Sequence, residues 1–189
     1  MYLLILILAL TLATATTPPT HDQTTLWPSE TYRYWVQTGQ WKLDPEDDLL
    51  IVKNTNPADE TTAIVTFNIP ETAAGHKCTL LFDLGADDIS TGSQQVDVFT
   101  ATKPTGALAE SDLRSVSRQV DGIVWSRDAH VGRISVAAPG SARWILASLG
   151  YPGFDCPAGR VVGFEFVGVN DQVAMQWDTE VSGPRVRVL

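Results

Sequence analysis

The chain has 189 residues, 44% of them hydrophobic, with 13 Lys and Arg against 22 Asp and Glu and a formal net charge of −9. A single domain of this size buries ~70% of the surface its unfolded chain would offer to water, so a core needs neither a metal nor a partner. The acidic balance disfavours nucleic acid and anionic membranes, because both are bound by basic groups that release counterions from phosphates.

Residues 2–12 are an apolar run of signal-peptide length (~7–15 residues), too short for the ~20 that span a bilayer. The run ends in Ala13-Thr14-Ala15, the small-x-small step that signal peptidase accepts, so cleavage is expected after Ala15 and the mature chain is expected to be secreted. An uncleaved anchor is the alternative, because no Lys or Arg precedes the apolar run. Residues 16–26, Thr- and Pro-rich and poor in apolar side chains, read as a disordered arm whose hydroxyls suit O-linked sugar.

From Trp27 to the end, one domain is expected. It carries about nine short β-branched or aromatic runs separated by Gly, Pro, Asn and Asp. The spacing predicts strands over residues 32–36, 49–53, 62–69, 77–83 and 95–100. Later ones are predicted over 123–126, 132–136, 160–167, 172–177 and 185–188. In 62–69, Ala63, Val65, Phe67 and Ile69 share one face, while Thr66 and Asn68 share the other. Residues 107–118 have some helical character but read as a polar excursion loop. The Asn170-Asp171 pair predicts a hairpin turn joining 160–167 to 172–177. Short strands without alternating helices imply an all-β fold, a two-sheet antiparallel β-sandwich of jelly-roll or immunoglobulin-like type.

Cys78 and Cys156 are the two cysteines, and in an oxidising compartment an even pair forms a disulfide. Two buried free thiols are the competing reading. Two thiolates alone do not make a zinc site, and no metal or cofactor is expected.

Nucleophilic catalysis would need a base, and the histidines are His21 in the arm, His76 in a turn and His130 in the charged stretch Arg127-Asp128-Ala129-His130. Asp97 and Glu165 each interrupt an apolar strand and would be the pair for a two-carboxylate glycosidase. Strict alternation puts both on a solvated outer face instead. The acidic runs 44–48 and 85–88 lack the spacing of a calcium loop. Of six tryptophans, Trp177 fits a core face. Trp27, Trp41 and Trp144 lie near loops or polar neighbours, where an exposed ring would stack on a sugar or a partner surface. The competing reading has them filling the sandwich core or its rims.

Residues 65–70, 75–84, 95–99, 127–133 and 154–159, followed by 163–167 and 176–178, resemble the fungal ubiquitin-3-binding-protein C-terminal domain, the But-two family. The most specific part is Cys156-Pro157-Ala158-Gly159 leading into Gly163-Phe164-Glu165, coupled with Lys77-Cys78-Thr79-Leu80. The resemblance runs from about Tyr32 to Leu189 and implies a β-sandwich of secreted or cell-surface fungal proteins, with the family cysteines on Cys78 and Cys156 and no catalytic residues to carry over. The expectation is therefore a secreted, non-enzymatic structural or interaction module that meets a cell-wall glycan or an extracellular protein, without stable membrane insertion. A carbohydrate-active enzyme on the sandwich and a ubiquitin-pathway binder are the alternatives.

Overall fold

The computed structural model describes residues 25–43, 48–102, 125–170 and 172–189. The expected leader, most of the arm, His21 and segment 107–118 lie outside the described residues. The strands in chain order are β1 (Thr25–Leu26), β2 (Glu30–Trp35), β3 (Gln40–Leu43), β4 (Ile51–Lys53), β5 (Thr61–Ile69), β6 (Lys77–Leu84), β7 (Ile89–Gly92) and β8 (Gln95–Thr102). After residues 103–124 come β9 (Ser126–Ser135), β10 (Gly140–Ser141), β11 (Arg143–Ala147), β12 (Gly153–Asp155), β13 (Arg160–Gly168), β14 (Val173–Gln176) and β15 (Gly183–Val188). Among the described residues, no helix is long and apolar enough to cross a membrane.

The strands form two antiparallel sheets, so the expected all-β sandwich is the fold. The smaller sheet runs β1-β15-β6, with β10 and β12 sharing the other edge of β6. The larger has the order β11-β9-β8-β13-β5-β4-β14-β7, with β2 and then β3 added beside β5. Alternation explains the layering. In β6, Cys78, Leu80, Phe82 and Leu84 are buried while the residues between them are not. Those side chains meet the inner face of the larger sheet, where Phe82 packs edge-to-face on Phe166 at 5.3 Å and on Trp177 at 5.2 Å. Phe164 meets Phe67 at 6.1 Å in the same layer.

Three sequence expectations change. Thr25 and Leu26, assigned to the arm, are β1, paired with Arg187 and Val186 of β15. The expected hairpin does not form: β13 is flanked by β5 and β8, so both its edges are filled, and β14 pairs instead with β4 and β7. The charged stretch Arg127 to His130, left between the predicted strands 123–126 and 132–136, is itself part of β9.

Cys78 and Cys156 are bonded, with Cα atoms 5.0 Å apart and 78 positions between them in sequence. Phe154 of β12 lies opposite Cys78, so the bridge ties β6 to the strand beside it within one sheet.

Candidate functional site on the outer face of the larger sheet

Glu165 is where alternation and burial part company. It sits between Phe164 and Phe166 and points to the outer face as alternation requires, yet it is only 3% exposed. The expectation of a solvated carboxylate is corrected by what surrounds it. Glu165 lies opposite Phe99 of β8 on one side and Ile64 of β5 on the other. The outer face is therefore itself apolar at this point.

Burial of a carboxylate demands partners. Arg127 of β9 donates from Nε to Oε2 at 2.8 Å and from Nη2 to Oε1 at 2.7 Å, a two-bond fork. The Thr62 hydroxyl donates to Oε1 at 2.8 Å. Arg127 also lies 4.6 Å over the ring of Phe99. Its guanidinium is held above its ordinary pKa first by the hydrogen bonds to Glu165, against the opposing effect of burial. The pair is lopsided, with the Glu165 side chain 4% exposed and that of Arg127 42%.

Beside this pair lies a second apolar cluster, separate from the core between the sheets: Ile64, Ala101 and Trp125, with Tyr32, Tyr34 and Trp41 packed against it. Trp41 stands edge-on to Tyr32 at 5.7 Å and to Tyr34 at 5.4 Å. The positions follow from register, since Tyr34 lies opposite both Trp41 of β3 and Thr62 of β5. Trp125 lies over Gly163, where a Cβ would come within 2.8 Å of its ring, so only glycine lets the indole down onto the sheet. The Tyr32 phenol donates to Glu30 Oε2 at 2.8 Å. Burial first, and then Glu30, push its pKa up to about 12.

Asp97 is on the same face, two residues from Phe99 along β8 and diagonal to Glu165, roughly 7–8 Å away between Cα atoms by sheet geometry. Its carboxylate accepts from Arg133 Nε at 2.8 Å and Nη2 at 3.0 Å and lies 3.1 Å from His130 Nε2. Partial burial acts to raise the Asp97 carboxyl, but the hydrogen bonds from Arg133 and His130 and their charges outweigh it and hold it below the usual range. A two-carboxylate hydrolase needs one carboxyl raised so that it can donate a proton. Here each carboxylate grips a guanidinium, an arrangement suited to fixing side chains.

The three tryptophans proposed for stacking are dispersed. Trp41 is in the outer-face cluster. Trp27 lies beneath Arg185 of the smaller sheet, with the guanidinium 5.1 Å from its ring. Trp144 packs against the core, 6.3 Å from Tyr151, and lines a cavity beside β6. Of the remaining candidates, His76 Nδ1 is 2.9 Å from the Leu189 carbonyl. Asp48 pairs with Lys42 at 3.0 Å, and Asp88 accepts from the Gly85 and Asp178 amides at 2.6 and 3.2 Å. Among the described residues, no three His, Cys, Asp or Glu converge as metal ligands.

Reasoning from sequence missed Tyr32, Tyr34, Trp125 and the Arg127–Glu165–Thr62 linkage. The available signal was that the outward positions flanking Glu165 in its predicted strand, Gly163 and Val167, are not polar. Compared with protein-family models and with curated proteins, the chain matches none.

Proposed function

We propose that the protein is an exported, non-enzymatic interaction module that binds a neutral cell-wall polysaccharide on the outer face of its larger sheet. The observation that carries this reading is the half-buried run of Tyr32, Trp41 and Tyr34 on the same face as the Arg127–Glu165 pair, with Tyr34 opposite the Thr62 that bonds Glu165. Aromatic faces stack on the C–H faces of sugar rings, while a guanidinium fixed from behind by a carboxylate donates to hydroxyls without having to be ordered on binding. A net charge of −9 favours an uncharged polymer over an acidic one. The resemblance to the But-two family and the disulfide support an extracellular setting, since such bridges persist in oxidising compartments.

The test is retention on insoluble neutral wall polysaccharides, read by depletion from solution. Wild type is expected to be retained on at least one fraction, Tyr34→Ala combined with Trp41→Ala to lose about tenfold or more in affinity, and Trp27→Ala to bind as wild type. No retention on any fraction, or equal retention of the double variant, would overturn the reading.

A further inference from the structure

β12 pairs with β6 through Lys77–Thr79 and β10 pairs with it at Asp83–Leu84, so Leu80 to Phe82 lie in the gap between two short edge strands. A cavity of about 320 Å³ occupies that gap. Its floor is the packed core, where Leu80, Phe82, Ile134 and Phe166 are each 3% exposed or less, and its accessible apolar wall is made by Leu81, Trp144 and Pro152. Ala142, where the chain passes from β10 to β11, also lines it.

The rim is cationic. Asp83 reaches the cavity but is held by Arg185. Arg187 also lines it, is exposed, and forms no ion pair among the described residues. Arg185 is pushed below its ordinary value first by burial and then by the charge of Arg187, so an anion at this rim relieves a repulsion already present.

We propose that this cavity binds a small amphiphilic carboxylate, its apolar body against Trp144 and Ala142 and its carboxylate on Arg187. Size is consistent with this. A cavity of ~150 Å³ holds the six carbons of benzene, so about 320 Å³ has room for roughly ten to twelve. Medium-chain fatty acids and aryl-alkanoic acids share this chemistry, and the experiment separates them. The site is distinct from the outer-face cluster and does not depend on its role.

The test is calorimetric titration of the full, disulfide-bonded protein with octanoate, 3-phenylpropanoate and uncharged 1-octanol. At least one carboxylate is expected to bind, octanol more weakly. Which acid binds more tightly distinguishes a chain-shaped occupant from a ring-shaped one. Arg187→Gln is expected to weaken the carboxylates about tenfold and leave octanol unchanged. Ala142→Phe, filling the cavity, is expected to abolish binding of all three while preserving the near-ultraviolet circular dichroism. Should that variant fail to fold, the comparison of acid with alcohol on wild type and R187Q decides alone. No heat from any ligand at millimolar concentration overturns the proposal, as does equal binding of octanoate to R187Q and wild type.

Discussion

Removing the guanidinium of Arg127 would leave the Glu165 carboxylate buried with the Thr62 hydroxyl as its one side-chain partner among the described residues. A broken, fully buried ion pair costs ~3–5 kcal/mol, and the half-open setting of Arg127 brings the expected loss for Arg127→Ala to about 2 kcal/mol. Glu165→Gln is expected to cost less, because an amide tolerates burial better and the freed guanidinium can hydrate. Urea unfolding of both variants checks the order, and an E165Q loss exceeding that of R127A would refute it. Asp97 gives a pH signature. Its folded pKa is depressed, so its contribution to stability is fully present above the unfolded value of ~3.9 and is lost as pH falls through the lower folded value. Asp97→Asn is expected to flatten the stability profile below about pH 4 and leave its shape at neutral pH unchanged, as measured by thermal melts across acid pH. The sequence put Glu165 on the correct face and in the wrong solvent. Alternation fixes direction, whereas burial depends on what neighbouring strands bring, here Thr62 of β5, 103 positions away, and Arg127 of β9.

At the level of elements, most strands were legible, but the ten residues of β9 were read only as the pieces 123–126 and 132–136, and the shortest edge strands were not read at all. β5, β6, β8 and β13 each run eight or nine residues, enough for a period of two to stand out, and their predicted bounds lie within one or two residues of those found. β1 and β10 have two residues each and β12 three, too few for any periodicity, and they exist because β6 and β15 offer edges to them. The hairpin expectation failed for a related reason: a turn signal reports that the chain reverses, not which edge is vacant when it does. The bridge reinforces one of these short elements, since β12 pairs with β6 over only three positions. Replacing both cysteines by alanine is expected to cost ~2–5 kcal/mol, against roughly 4.5 from the entropy of closing a loop of this length. Hydrogen exchange is expected to rise first at the Leu80 and Cys156 amides, which bond to Pro152 and His76. Exchange rising instead in β5 and β13, with β12 still protected, would show that the bridge supports a different part of the fold.

For the molecule as a whole, the two sheets are unequal, and the larger one has outer surface enough for a second apolar cluster. Five of the six tryptophans are shared among that cluster, the interior and the back of the smaller sheet, and Trp35 ends β2 beneath Arg33, which is why composition alone signalled aromatic binding without locating it. The bridge also governs how the molecule answers to tension. β1 and β15 are adjacent and antiparallel, so a pull applied at Thr25 and Leu189 peels them apart one hydrogen bond at a time. The stretch enclosed by Cys78 and Cys156 cannot then pay out, and an oxidised chain yields about 300 Å of contour between those points where a reduced one yields about 570 Å. A domain so tethered behaves as a short leash with a locked reel.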